Sequence, residues 1–333
     1  MVRHSLFLLL FSVLLSASFA DYNSTVYTFK TVGPVKIQAI VYYPNITTSD
    51  KHPVFYGVHG GGYVTGSKSD AFSFQEIDEA LSRGWVVVAI DYRLSPAALI
   101  EDIVEDMQDG YNWIRTELAS LIPIDPDLIT VFGGSAGGGM AIMAGFKLTP
   151  RPKAVLSFYP YCTNFTDPYA YKPATPVSKI IVAEANNLKE VITEYETTDL
   201  TDPRLVLFFS ALAAGKGGWL LTTHDPDFPT DQIMAKLRSY SATENVDENF
   251  PPTYLAHGLK DSLVPYSQSV QMANVLKQKN IPYVLDLVPG ADHAFDLLNP
   301  TPEMWKEHVL PAFDFAQKYM TKSTTKQMKF LSQ

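Results

Sequence analysis

The sequence predicts an α/β protein: a mostly parallel central sheet, flanked by helices, with a helical segment inserted between two of its strands. Three observations predict it. Short, dense apolar runs, "PVFYGVHG", "WVVVAIDY" and "LITVFGGS", have the length and β-branching of buried strands. Amphipathic helical patterns lie between them, and strand alternating with helix argues parallel pairing with helices on both faces. One long stretch, about residues 164–249, has no such apolar run. The chain has 333 residues, 46% hydrophobic and 18% charged, which is ample material for a large core.

The elements follow in order. "MVRHSLFLLLFSVLLSASFA" has a basic start at Arg3, an apolar run from Leu6 to Leu15 and small residues at Ser18 and Ala20. That is the layout of a cleaved secretory signal over residues 1–20. A membrane anchor would need roughly twenty apolar residues, about twice this run. "STVYTFKT" and "PVKIQAIVYYP" alternate around Gly33-Pro34 and predict an antiparallel hairpin. After the first buried strand, Asp70 to Leu81 reads as a helix. Ile103, Met107, Tyr111, Ile114 and Leu118 recur at helical spacing in the next. "AVLSFYP", "PPTYLAHG" and "IPYVLDLVPG" predict further strands, with the helix "SQSVQMANVLKQK" before the last. "EMWKEHVLPAFDFAQKYM" closes the chain as a helix that Pro311 should kink. In the insertion, "KIIVAEANNLKEVITEY", "RLVLFFSALAAGKGGWLL" and "TDQIMAKLRSY" look helical or irregular, and the segment should lie over one end of the sheet. The polar "TKSTTKQMKFLSQ" is expected to fray.

Charge and cysteine content exclude several classes. The net charge is -9, with no cluster of Lys or Arg, so a nucleic-acid partner lacks its basic face. Cys162 is the one cysteine, which rules out an intramolecular disulfide and reads as a small core residue. The histidines past residue 20 are His52, His59, His224, His257, His293 and His308; none pairs at metal-ligand spacing within a helix, so a zinc site has little support. Asn23, Asn45 and Asn164 each head an Asn-x-Ser/Thr sequon, which fits a secreted chain or one in the lumen of the secretory pathway.

The chemistry is concentrated at the ends of predicted strands. "TVFGGSAGGGM" places Ser135 among five glycines, after the strand "LITVF" and before a helix. Gly133 and Gly137 complete Gly-x-Ser-x-Gly, the pattern of a nucleophile on a sharp strand-to-helix turn, where neighbours must lack bulk. The Ala136 N–H at the helix start would point where an oxyanion forms. "VHGGGYVTGS" follows another buried strand, and its consecutive glycines let backbone N–H groups approach a ligand closely. A serine needs a base, and the base needs a carboxylate. His293 lies in the loop after the last predicted strand, and Asp261 in the loop after the strand before it. The order Ser135, Asp261, His293 is that of the hydrolases built on such a turn. His257 and Asp292 are the competing candidates: His257 sits at a strand end as a polar core residue, and Asp292 adjoins His293 too closely to turn back onto its ring.

"VHGGGYVTGS", "VVVAIDYRLSP", "VFGGSAGGG", "PPTYLAHGLKDSLVPYSQS" and "GADHAF", in that order, resemble an α/β-hydrolase of the HGGG type, the group of hormone-sensitive-lipase-like esterases and their carboxylesterase relatives. The resemblance covers nearly all of residues 21–333 outside the insertion. It implies an α/β-hydrolase fold and a serine esterase acting on a small-molecule ester. Its triad would be Ser135, Asp261 and His293, and its oxyanion hole Gly60, Gly61 and Ala136, with His59 structural. No metal, cofactor, nucleic acid or stable membrane anchor is implied. The chain departs from the family in three ways. "DYRLSPAALIED" runs almost directly into a helix, Tyr63 stands where Trp is frequent, and the insertion is internal rather than N-terminal. Rival readings are an amidase, formamidase or peptidase on the same scaffold, a lyase or cyclase, and a non-catalytic binding protein. Phe208, Phe209 and Trp219 of the insertion are candidates for an apolar wall, or for plain packing.

Overall fold

An eight-stranded sheet runs through the computed structural model, which describes residues 23–44, 50–172, 176–197, 199–298 and 300–321. The predicted signal, Asn45 and almost all of the polar tail lie outside the described residues. The strands are β1 (Ser24–Val32), β2 (Val35–Tyr42), β3 (His52–Val58), β4 (Val86–Ile90), β5 (Ile124–Gly134), β6 (Ala154–Phe158), β7 (Thr253–Gly258) and β8 (Tyr283–Val288). Their spatial order is β1-β2-β4-β3-β5-β6-β7-β8. The hairpin β1–β2 turns at Gly33, whose φ of 57° suits a residue without a side chain. β2 pairs antiparallel with β1 and β4; every later pairing is parallel.

Both faces of this sheet are covered, which is why its inner strands read as continuous apolar runs. Val54, Tyr56 and Val58 of β3 face Met107 and Tyr111 from the helix Ile100–Trp113 and Met140 from the helix Ala136–Lys147. Phe55 faces the other way, towards Ile77 from the helix Phe74–Ser82 and Phe313 from the closing helix Leu310–Tyr319. Each large side chain so buried contributes roughly 1.5–3 kcal/mol.

Two helices depart from the sequence pattern at their ends. The segment predicted as a helix from Asp70 begins as a single 3-10 turn, Lys68–Asp70, and the helix proper starts at Phe74. Ser73 sets that start: its hydroxyl accepts from the Glu76 N–H while the Glu76 carboxylate takes the Ser73 N–H. The closing helix carries a five-residue π turn, Trp305–Val309, just before Pro311, so the proline lies in the first turn of the regular helix that follows. Between β6 and β7 lie the helices Lys179–Asn187, Pro203–Ala213, Gly217–Thr222, Thr230–Tyr240 and Ala242–Asn245, and no described strand of the sheet. No helix among the described residues is long and apolar enough to cross a membrane.

Candidate active site

β3, β5, β7 and β8 run parallel, so the loops that follow them open at one edge of the sheet. Ser135 is the one residue between β5 and the helix Ala136–Lys147, at φ 58° and ψ -122°. A residue with a side chain is strained there by about 1–3 kcal/mol. The flanking glycines show what the turn demands. A methyl on Gly133 would lie 2.3 Å from the Gly137 carbonyl, and one on Gly137 would lie 2.0 Å from Val58 O. Backbone bonds secure the turn: the Ser135 N–H donates to Phe158 O at 3.0 Å, and Ser135 O accepts from Tyr161 N–H at 2.8 Å.

Three of the singled-out side chains meet. Ser135 Oγ lies 2.9 Å from His293 Nε2, and His293 Nδ1 lies 2.8 Å from Asp261 Oδ2. An ionised carboxylate only accepts, so Nδ1 carries a proton and Nε2 is left to accept from the serine hydroxyl. Asp261 Oδ1 accepts from the N–H groups of Leu263 and Val264, at 2.9 and 2.7 Å. Burial alone would raise its carboxyl, but hydrogen bonds from His257 and His293 hold it well below the usual carboxylate range.

Asp292, the competing acid, faces elsewhere. Its Oδ1 accepts from the N–H of His293 at 2.7 Å and from the N–H and hydroxyl of Ser262 at 2.8 and 2.9 Å. It ties the His293 loop to the Asp261 loop through the backbone. His257 is buried as anticipated, but it also reaches Asp261. Its Nε2 lies 3.0 Å from Val264 O and 3.1 Å from Asp261 Oδ2, two acceptors, so this nitrogen carries a proton. Its Nδ1 then accepts from the Ser269 hydroxyl at 2.8 Å.

The glycine turn after β3 packs against the serine. A methyl on Gly60 would lie 3.1 Å from Gly134 O and 3.3 Å from Ser135 Cβ. Gly61, Gly62 and Tyr63 all have positive φ, at 89°, 62° and 67°. Ala136 is the first helical residue, so its N–H is outside the helix ladder. His59 braces this turn. It stacks on Tyr92 with ring centroids 4.0 Å apart, and its Nδ1 donates to Gly60 O at 2.9 Å. Burial lowers its pKa to about 3, so the ring is neutral. The Tyr92 hydroxyl bonds both His59 O and Gly60 O at 3.0 Å. Tyr92 lies in the "DYRLSP" run, but nothing local to that run points at the turn.

The insertion straps the same turn from outside. Gly66 and Tyr195 exchange backbone bonds of 2.8 and 3.3 Å, and Leu94 N–H donates to Ile192 O at 3.0 Å. Ser67 donates to Glu196 at 2.6 Å, and Lys68 pairs with both Asp91 and Glu194. Arg204 reaches back to Ser95 O at 2.9 Å. Of the three insertion aromatics, Phe208 packs over Gly62, where a methyl would lie 2.7 Å from its ring. Trp219 is buried within the insertion and donates to Asp225 O at 3.3 Å, so its contacts are packing. Cys162 is buried, and burial pushes its thiol well up, away from the reactive thiolate. Asn23 is exposed, and Asn164 is half-buried with its side-chain oxygen held by Thr166 at 2.7 Å. The carboxylates Glu105, Asp106 and Asp109 come close enough together to hold a metal, but Lys30 already pairs with each, at 2.8, 2.8 and 2.6 Å.

Comparison with known proteins agrees with this architecture. The BD-FAE family model matches residues 40–276, and the dienelactone hydrolase family matches residues 236–332. Among curated proteins, the chain is similar to the non-reducing polyketide synthase Preu6 of Preussia isomera, 28% identical over 89% of this chain and 15% of that one. It is also similar to the non-reducing polyketide synthase stbA of Stachybotrys bisbyi, 28% identical over 86% of this chain and 14% of that one. The chain thus spans about one seventh of the length of these relatives. Among solved structures, it is similar to an acetyl ester-xyloside bifunctional hydrolase from Caldicellulosiruptor lactoaceticus, with TM-score 0.62, 19% identity and coverage of 90% of this chain and 97% of that one. Esterase 2 of Thermogutta terrifontis, phosphonylated by sarin, aligns with TM-score 0.61, 19% identity and coverage of 90% and 94%. By its fold and by the match over residues 40–276, the chain is an α/β-hydrolase and belongs to the BD-FAE family.

Proposed function

We propose that the chain is a carboxylic ester hydrolase that works through an acyl-enzyme on Ser135. The reading rests above all on one observation: a strained serine at a strand-to-helix turn lies 2.9 Å from an imidazole whose other nitrogen lies 2.8 Å from a buried aspartate. In the first step Ser135 Oγ attacks the ester carbonyl while His293 Nε2 takes its proton. The N–H groups of Gly60, Gly61 and Ala136 bind the resulting oxyanion. His293 then passes the proton to the departing alkoxide, and the alcohol leaves. Water attacks the acyl-enzyme with His293 again as base, and the carboxylic acid departs as Ser135 recovers its proton. Asp261 keeps Nδ1 protonated and stabilises the imidazolium formed in each half.

The test uses a fluorophosphonate and p-nitrophenyl esters of increasing chain length. One adduct on Ser135 is expected, and Ser135→Ala should lower turnover by roughly 10⁶. Asp261→Asn keeps the size but offers the wrong hydrogen-bonding partner, and about 10⁴ should be lost; Asp292→Asn should lose far less. A label on another residue, or full activity in Ser135→Ala, would overturn the assignment.

A second reading has its own observation, the alignment of most of the chain to polyketide synthases. The same serine would then accept an acyl group from a thioester. A thioester of an aromatic acid turned over much faster than its oxygen ester would favour that reading.

We propose further that residues 1–20 direct the chain into the secretory pathway, on the strength of their short apolar run. N-terminal sequencing of the secreted protein should begin just after Ala20, and glycosidase treatment should release glycan from exposed Asn23. A secreted chain that still starts at Met1 would refute the cleavage.

A further inference from the structure

Three side chains from distant parts of the chain meet beside His293. Glu76 comes from the helix Phe74–Ser82, Tyr159 from the residue after β6, and Asp296 from the loop just past His293. All three are buried. The Tyr159 hydroxyl donates to Asp296 Oδ1. The Tyr159 ring lies 4.6 Å from the His293 ring, centroid to centroid. The same tyrosine fills the space beside the serine turn, where a methyl on Gly134 would lie 2.7 Å from its hydroxyl. Glu76 Oε2 accepts from the N–H and the hydroxyl of Ser73, at 2.8 and 3.0 Å. That leaves Glu76 Oε1 and Asp296 Oδ2, two buried oxygens that no donor among the described residues satisfies. The two carboxyl groups lie close enough to act directly on each other's charge. Two ionised carboxylates cannot rest in contact in a dry interior, because repulsion adds to the cost of desolvation. One proton between them satisfies both oxygens and removes one of the two charges.

We propose that Glu76 and Asp296 share one proton, so that a single buried negative charge is held beside His293 and, together with Tyr159, positions its imidazole. Burial, followed by the neighbouring Asp296 charge, pushes the Glu76 carboxyl well above its ordinary range. Burial pushes Asp296 only to about 6, because Tyr159 donates to it. The shared proton lies between Glu76 Oε1 and Asp296 Oδ2, while Tyr159 O–H donates to Asp296 Oδ1. The other polar groups that face His293 are Asp261 at Nδ1, Ser135 at Nε2 and Asp292 at the backbone N–H. Asp261 in turn meets His257. Asp296 touches neither the serine nor a substrate, so it is a positioning residue. Its charge favours the imidazolium that forms in each half-reaction.

This inference rests on His293 being the general base, and the experiment separates the two. The acid limb of kcat/KM for a p-nitrophenyl ester reports the histidine of the free enzyme. Glu76→Gln supplies an amide that can donate to Asp296 and leaves the single charge in place, so its limb should coincide with that of the wild type. The double variant Glu76→Gln/Asp296→Asn removes the charge while both amides keep hydrogen-bonding partners. Its limb should move to lower pH by about half a unit or more, because the imidazolium has lost an anionic neighbour. A limb unmoved in the double variant would overturn the inference, as would a single variant that shifts as far as the double. Should the double variant not fold, infrared spectra decide: at neutral pH, wild type minus Glu76→Gln should contain the carbonyl stretch of one neutral carboxyl, and its absence would overturn the shared proton. Failure of the wild type to label at Ser135 would instead sink the triad itself.

Discussion

Asp261 and Asp292 show how much orientation decides at the scale of one residue. Both acids lie near His293, but one holds the imidazole and the other holds backbone. Asp292 is next to His293 in the chain, and its side chain takes the His293 N–H instead of reaching round to the ring. His59 carries a pH dependence that can be signed. Its folded pKa is lowered by burial from 6.5 to about 3. Below about pH 6.5 the unfolded chain gains a proton at this ring that the native state refuses. Stability from neutral His59 is therefore present above that pH and lost as pH falls towards the folded value. His59→Gln should be less stable than the wild type at neutral pH, since the stack on Tyr92 is lost. The gap should narrow by roughly 2 kcal/mol between about pH 7 and about pH 4.5, because the variant has no proton to refuse. Denaturant unfolding at the two pH values measures this; a gap that stays constant would show that the ring does not resist protonation.

At the scale of elements, the serine turn is the meeting of a strand, a helix and a second loop at backbone distance. Its glycines are required by contact rather than by flexibility. Gly137 and Gly33 make the contrast. A methyl on Gly137 would meet backbone oxygen at 2.0 Å, whereas Gly33, at φ 57°, has nothing within 4 Å. Gly137→Ala should therefore cost about 3 kcal/mol or more, or prevent folding, since neither strand nor helix can give way. Gly33→Ala should cost about 1 kcal/mol, the strain of its dihedral alone. Equilibrium unfolding of the two variants compares them directly, and equal costs would mean that the turn relaxes. The element boundaries follow the same logic. The helix at Phe74 starts where Ser73 and Glu76 can cap each other, and the apolar period before it does not reveal that.

Across the whole molecule, the insertion belongs to the site as much as the sheet does. The segment 194–196 lies along residues 66–68, and Arg204 anchors the neighbouring backbone from behind. Arg204 is 4% exposed and donates to backbone carbonyls, which would be left unsatisfied without it. Arg204→Ala should lower stability by about 2 kcal/mol. It should also slow acylation of Ser135, because the strap steadies the turn that carries Gly60 and Gly61. Labelling rates with the fluorophosphonate, taken well below the melting temperature, give the second effect. An unchanged rate would assign the strap to folding alone.

The sequence by itself determined what local pattern and chain order can carry. Buried strands show as unbroken apolar runs because both faces are covered. The serine turn shows as Gly-x-Ser-x-Gly because the steric demand falls within five residues. That Ser135, Asp261 and His293 would come together could be read from their places after strands of one parallel sheet, since parallel strands bring those loops to one edge. Only the tertiary structure decided the contacts that join remote segments: Tyr92 under the glycine turn, His257 on the same carboxylate as His293, Tyr195 beside Gly66, and Glu76 against Asp296. These pairings leave no periodicity and no spacing in the chain. A buried polar side chain takes whichever partner the fold brings to it, and that partner is set by the packing of whole elements.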